Sequence, residues 1–300
     1  MRLLTIASLL VLACGESEPP SDPPVRSTEV CWADRGCALE LVVSHKADGV
    51  DEPENSLAAI TALADAGVHA VEVDPRLTSD GHFVLMHDEG IKRTTSADEN
   101  LAVSSLTLAE VQAYALKDDR CPSPDTEPSR CRIPTLAEAL DAAKGRIVLL
   151  LDIKDLDLER LVAVLNAHHG LSTSVVRSKD LDFLSALTHA VPGLLTIEWC
   201  DTQAGALDSI ENRGPLLVQV EPPDLDAVRA TAAAQQVRVM ISTLTTLDPY
   251  LWAYVDSGAL DQEDRARAEA EALRDQGVRL FLTSYPIETQ RLLTGESLAP

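Results

Sequence analysis

Eight short apolar, strand-like runs begin near Leu41, Ala70, Ile147, Ser174, Leu194, Pro215, Val237 and Arg279, with helical segments between them. Regular strand–helix alternation is the pattern of a parallel sheet covered by helices. Eight such units within about 250 residues predict a single closed (β/α)8 barrel, a TIM-type α/β fold, rather than an open sheet. A ninth run, His82 to Met86, breaks the alternation. It follows Thr78-Ser79-Asp80-Gly81, a tight-turn sequence, so it is expected to double back antiparallel on an extension of the second strand. Leu57 to Ala66 reads as a helix stopped by Gly67, and Asp261 to Gln276 as one stopped by Gly277. Thr107 with Glu110 and Thr135 with Glu138 read as capping boxes. The segment from Arg93 to Pro134 is too long for a βα loop. It predicts a short excursion over the C-terminal mouth, carrying one helix and a loop between Cys121 and Cys131.

Chemistry concentrates between Ser44 and Thr95. Glu72 and Asp74 sit two apart in the apolar run Ala70-Val71-Glu72-Val73-Asp74, so a strand projects both carboxylates from one face. Two uncompensated charges there cost on the order of several kcal/mol. A divalent cation would offset them, and the flanking histidines His45 and His87 point to acid–base chemistry around it. This is the pattern of an enzyme.

The ordered motifs resemble a known family. His45-Lys46, Pro53-Glu54-Asn55-Ser56, Glu72-Val73-Asp74, Leu77-Thr78-Ser79-Asp80-Gly81, His87-Asp88 and Arg93-Thr94-Thr95 are similar to the pattern of the glycerophosphodiester phosphodiesterases. Ile133-Pro134-Thr135-Leu136, Leu151-Asp152-Ile153-Lys154 and Thr283-Ser284-Tyr285-Pro286 resemble its later segments. The likeness runs from about Leu41 to Leu293, and the order of the set carries it rather than any one motif.

The resemblance implies that His45 and His87 are the acid–base pair and that Glu72, Asp74 and Asp152 ligate metal. Three hard oxygen ligands suit Mg²⁺ or Ca²⁺ better than zinc. Asp152 stands where the family has Glu, as in the related spider-venom-type phospholipases D; its other reading is a carboxylate paired with Lys154. Glu54 is expected at the metal or just behind it, with a helix-start role as the alternative. Lys46, in place of the family's Arg, and Lys154 would meet the substrate phosphate. Ser284 replaces the family's Asp, and Met240-Ile241-Ser242-Thr243 lacks its tryptophan. His69, His82, His168, His169 and His189 have no such context and read as ordinary surface or core residues.

The first residues read as an address. Arg2 precedes the apolar run Leu3 to Ala13, too short to span a bilayer, and Cys14 follows directly. This fits a lipoprotein-type signal peptide over 1–13 with lipidation at Cys14; ordinary signal cleavage is the alternative. Residues 14–28, rich in Pro, Ser, Glu and Asp, read as a disordered tether, leaving 29–300 as the barrel. The expected location is the cell envelope, with the protein held at a membrane by its lipid, or secretion if the cysteine is not acylated. The spacing of Cys31 with Cys37 and of Cys121 with Cys131 predicts two local disulfides and leaves Cys200 over. A net charge of −23 argues against nucleic acid as a partner.

The expected activity is metal-dependent hydrolysis of glycerophosphodiesters to glycerol 3-phosphate and an alcohol. The alternatives are a phospholipase D acting on lysophospholipid or sphingolipid, and a non-catalytic lipoprotein that binds phosphate esters.

Overall fold

The computed structural model describes residues 28–298, so the expected signal peptide, Cys14 and the expected tether up to residue 27 lie outside the described residues. Ten strands follow in chain order: β1 Leu41–Ser44, β2 Ala70–Val73, β3 Pro75–Leu77, β4 Phe83–Leu85, β5 Val148–Asp152, β6 Ser174–Ser178, β7 Leu195–Cys200, β8 Leu217–Val220, β9 Arg238–Ser242 and β10 Val278–Thr283. Eight close into a barrel in the order β1-β2-β5-β6-β7-β8-β9-β10, every neighbouring pair parallel. The eight predicted runs supply these eight strands. The remaining two, β3 and β4, form the antiparallel hairpin anticipated for the ninth run, with Leu77 opposite Phe83. Gly81, at φ +83°, completes its turn in a conformation that other residues adopt only under strain.

Period-two alternation sorts each strand into two faces. Leu41, Val43, Ala70, Val148, Leu150 and Val175 fill the barrel interior. Val71, Val73, Leu149, Leu151 and Val176 face outward onto helical residues such as Ile60, Leu63, Leu136, Leu140 and Leu161. Truncating a fully buried member such as Leu150 to Ala should cost about 2–5 kcal/mol. The same alternation carries the inward register from Val43 to His45, from Ala70 to Glu72 and Asp74, from Leu150 to Asp152, and from Val175 to Arg177. Apolar layers therefore fill the barrel up to its C-terminal end, where charged residues take the inward positions.

The helix Thr28–Ala33 closes the opposite end. Trp32 and the Cys31–Cys37 disulfide pack against the innermost strand residues. Arg238, the first residue of β9, donates to the carbonyls of Cys31 at 2.7 Å and Leu39 at 3.1 Å.

The excursion after the hairpin has its own apolar centre of Val84, Met86, Ile91, Val103, Val111, Leu116 and Ile133. Thr107 and Thr135 both form their capping boxes, opening the helices Leu108–Val111 and Leu136–Ala143. Where one helix was expected in the excursion there are two single α-helical turns. The second, Pro128–Cys131, starts with proline at its first turn, where the missing N–H costs nothing. The Cys121–Cys131 disulfide is formed, and Cys200 is a buried free thiol. Gly277 follows the long helix Leu260–Asp275 as predicted. Among the described residues no helix is long and apolar enough to cross a membrane.

Candidate active site

Glu72, Asp74 and Asp152 meet at the C-terminal mouth, each offering a carboxylate oxygen within 4.8 Å of the others. All three are buried. Asn55 holds Asp74 from two sides: its Nδ2 donates to Asp74 Oδ2 at 2.8 Å, and its Oδ1 accepts from the Asp74 backbone N–H at 3.0 Å. Glu72 Oε2 accepts from the backbone N–H of Lys46 at 2.7 Å. That contact depends on a turn in which Lys46 and Ala47 both have positive φ, at 55° and 57°. Non-glycine residues held there store strain, on the order of 1–3 kcal/mol each. The turn is tied down by Asn55, whose N–H donates to the Lys46 carbonyl at 2.8 Å.

Two cations face the three carboxylates. Lys154 Nζ lies 2.5 Å from Asp152 Oδ2 and 2.9 Å from Asp74 Oδ1. The expected pairing of Asp152 with Lys154 is thus present, and it coexists with the carboxylate cluster. Its ammonium donates to Asp152 and lies close to Asp74 without a directed hydrogen bond, so N–H groups remain for a substrate oxygen. The second cation, Arg177, was not anticipated. Its Nη2 donates to Asp152 Oδ2 at 2.6 Å and Glu72 Oε1 at 3.0 Å, and its Nη1 to Gln219 Oε1 at 3.0 Å. The guanidinium also stacks on Trp199, 4.6 Å from the ring centroid. A lone arginine in the apolar run Ser174-Val175-Val176-Arg177 was the available signal. Placing it beside Asp152 required the β5–β6 register, in which these two residues are partners.

The charges do not balance: three carboxylates meet two cations. Burial first, and Asp74 second, push the Glu72 carboxyl well above its ordinary range, with Arg177 opposing. Burial also opposes ionisation of Asp152, but Arg177 and Lys154 outweigh it and hold that carboxyl low. Asp74 Oδ1 lies near Lys154 yet accepts no well-directed hydrogen bond. An oxygen-only donor set with one negative charge in excess and one carboxylate oxygen without a hydrogen bond fits a hard divalent cation. Glu72, Asp74 and Asp152 are the residues that would hold it.

Glu54 is not in this cluster. Arg93 grips it bidentately, at 2.8 and 2.7 Å, and also contacts Asp88 at 2.5 Å. Nor does Glu54 start the next helix, since Ser56 accepts from the Ala59 N–H as its cap. Asp88 in turn lies 2.8 Å from His87 Nδ1, so a chain of contacts runs from Glu54 through Arg93 and Asp88 to the histidine. Arg93 first, and His87 more weakly, hold the Asp88 carboxyl far below its usual range. Arg76 fixes the His87 backbone through its carbonyl. The hairpin accounts for this arrangement, because β4 returns His87 to the end of β2.

His45 follows β1 directly and is half-buried. Burial, then the Lys46 charge, drive its imidazole down to about 4, and the fields of Asp74, Arg177 and His87 also reach it. It is neutral at physiological pH. His69 accepts from the Val42 N–H and His168 faces Asp141, both outside the carboxylate cluster. At the last strand, Ser284 gives its N–H to Asp248, which also accepts from Thr243 and Thr283. Asp248 thus ties the ends of β9 and β10 together at the two places where the chain departs from the family pattern. Ser284 and Tyr285 line a cleft of about 300 Å³ with Asp48, Gly49 and Val50.

The model of the glycerophosphoryl diester phosphodiesterase family matches residues 45–209, more than half of the chain. The chain belongs to this family. Human glycerophosphodiester phosphodiesterase 1 is 31% identical over 169 residues, covering 49% of this chain and 48% of that one. A glycerophosphodiester phosphodiesterase of Caldanaerobacter subterraneus is 39% identical over 72 residues, 24% of this chain and 29% of that one. The chain thus matches between roughly a third and a half of the length of these curated family relatives. Among solved structures, a glycerophosphoryl diester phosphodiesterase from Parabacteroides distasonis superposes with a TM-score of 0.71 at 24% identity, over 91% of this chain and 92% of that one. An Oleispira antarctica phosphodiesterase, solved with the product sn-glycerol-3-phosphate, gives 0.66 at 22% identity over 85% and 97%. These two share the family's barrel with this chain.

Proposed function

We propose that this chain hydrolyses glycerophosphodiesters to glycerol 3-phosphate and an alcohol, with His45 and His87 as the acid–base pair. Glu72, Asp74 and Asp152 hold a divalent cation, Mg²⁺ or Ca²⁺, in this reading. The observation that carries it is a three-carboxylate cluster at the barrel mouth of a family member, flanked by the two motif histidines. The product bound in the Oleispira antarctica relative supports the substrate class.

A bound divalent cation would supply Lewis-acid stabilisation of the charge growing on the phosphoryl oxygens. The rest falls to the chain. Lys154 offers an N–H not used by Asp152 to a phosphoryl oxygen, and Lys46, with no carboxylate partner among the described residues, adds a second positive charge. The nucleophile is a water, which gives glycerol 3-phosphate directly, or a hydroxyl next to the phosphate, which gives a cyclic phosphate that a water then opens to glycerol 3-phosphate with the two histidines exchanging roles. Its oxygen bonds to phosphorus and its proton passes to His45, which burial keeps unprotonated and ready to accept. The bond from phosphorus to the leaving alcohol breaks, and His87 gives that oxygen a proton. Asp88, holding Nδ1, leaves Nε2 as the nitrogen that transfers it.

The test is alcohol release from a panel of glycerophosphodiesters, with Mg²⁺ or Ca²⁺ and with chelator. Turnover should need the cation and should be lost in Asp74→Asn. Full turnover in metal-free chelator would end the metal reading. Asp152 in place of Glu favours a second reading, a phospholipase D; a strong preference for lysophospholipid over small diesters would select it. Absence of turnover on either class would leave the phosphate-ester-binding lipoprotein.

Lipidation at Cys14 and envelope location belong to the same proposal, resting on the sequence before residue 28. Mass spectrometry of the mature N-terminus tests them. An acylated Cys14 is expected, and an unmodified N-terminus elsewhere would indicate secretion.

A further inference from the structure

Four arginines line one cavity of about 230 Å³ at the end of the barrel opposite the catalytic mouth. Arg238 opens β9 and Arg279 is the second residue of β10. Arg35 comes from the loop closed by the Cys31–Cys37 disulfide, and Arg229 from the helix Leu225–Ala234. No Asp or Glu lines this cavity, although the chain carries 48 acidic residues against 25 Lys and Arg. Positive charge is concentrated where the composition makes it scarce.

Backbone carbonyls, not carboxylates, answer most of these guanidinium groups. Arg35 donates to Pro215 and Gly214 carbonyls at 2.9 and 2.8 Å, and Arg279 to those of Arg274 and Val278 at 3.0 and 2.7 Å. Arg238 is only 3% exposed; its two Nη atoms reach carbonyls, and its Nε–H has no partner. Among the described residues Arg229 alone of the four forms an ion pair, with Asp226 at 3.6 Å on the exposed side. Carbonyl dipoles satisfy N–H groups but leave the net charge in place, and a buried charge without a counter-charge is costly. Burial, then Arg279, push Arg238 down to about 10, with only Glu40 pulling the other way. A bound anion would supply the missing counter-charge and offset the repulsion between Arg238 and Arg279.

We propose that this cavity is a binding site for a phosphate-bearing oxyanion, held by Arg35, Arg229, Arg238 and Arg279 and separate from the catalytic mouth. Guanidinium forks match phosphate oxygens two at a time, and the volume admits a phosphate group. The phosphate is either a free small-molecule ester or the headgroup of an anionic lipid. Because the whole chain is strongly acidic, attraction is confined to this pocket and should weaken steeply with salt.

The probe is inorganic phosphate, titrated against the full chain at constant ionic strength set with chloride, with thermal stability and calorimetry as readouts. Arg229→Gln and Arg279→Gln are combined in one variant, because both sit at exposed or half-exposed ends and spare the buried Arg238. Wild type and Asp74→Asn, which removes a carboxylate of the catalytic cluster, should both be stabilised by phosphate. In the double variant phosphate should bind at least about tenfold more weakly, while turnover of a small diester stays unchanged. Cosedimentation with phosphatidylglycerol vesicles, competed by free phosphate, identifies the lipid as the source; phosphate binding without cosedimentation identifies a soluble ester. Equal phosphate stabilisation of wild type and double variant, or none in Asp74→Asn, would overturn the proposal.

Discussion

Asn55 and Asp74 exchange two hydrogen bonds, side chain to side chain at 2.8 Å and backbone to side chain at 3.0 Å, across nineteen residues of sequence. Asn55 is buried at φ +56°, so it adopts an unfavourable backbone conformation to aim its amide. It leaves Asp74 one oxygen for Lys154 and for a cation.

Asn55→Ala should free Asp74 to turn and should weaken cation affinity by about 10–100-fold, as losing a ligand's supporting partner usually does. Asn55→Asp should do worse, since it puts a fourth carboxylate against the cluster. Calorimetric titration with Mg²⁺ or Ca²⁺ measures both. Unchanged affinity in Asn55→Ala would mean that Asp74 needs no such support.

Arg177→Met should destabilise the metal-free protein by about 3–5 kcal/mol, the usual cost of stripping a buried carboxylate pair of its cation. Because Glu72 then lacks its side-chain counter-charge and Asp152 keeps only Lys154, added cation should raise the melting temperature of the variant more than that of wild type. Thermal melts with and without metal give the comparison. An equal metal-induced rise in both would show that Arg177 does not share the carboxylates with a cation.

His45 makes stability depend on pH in a stated direction. Its folded-state value of about 4 lies below the ordinary 6.5, so between those values the unfolded chain binds a proton that the folded chain does not. Stability from this group is fully present above about pH 6.5 and falls as pH drops toward 4, by at most about 3 kcal/mol. Denaturant melts in chelator should show the decline in wild type and a shallower one in His45→Gln. The rate on a small diester should fall over the same acid limb, through protonation of the base. Parallel pH slopes for wild type and His45→Gln would remove His45 as the origin.

His87→Ala should lower kcat on a glycerophosphodiester by about 10²–10⁴-fold. If His87 protonates the leaving oxygen, an activated nitrophenyl ester, whose leaving group needs no proton, should be spared most of that loss. Asp88→Asn should reproduce the pattern in milder form, because Asp88 orients His87 and Arg93 orients Asp88. His45→Ala should be impaired on both esters. An equal loss on both esters in His87→Ala would assign that histidine elsewhere.

The sequence by itself determined what is local. Short apolar runs between helical segments specified the strands, period-two spacing put Glu72 and Asp74 on one face, and the family resemblance singled out Asp152 at the end of its strand. Thr78 to Gly81 specified the turn that brings His87 back, the capping boxes marked helix starts, and short Cys spacings marked both disulfides. Each of these depends on residues a few positions apart, where backbone sterics and periodicity act. Only the tertiary structure decided which charges meet. Arg177 stands beside Asp152 because of the β5–β6 register, and Arg93 takes Glu54 because the excursion folds back over the first loop. Arg238 and Arg35 share a cavity because barrel closure brings the N-terminal loop against β9. Electrostatic partners are chosen by distance in space, and barrel closure sets those distances between residues as much as two hundred positions apart in the chain.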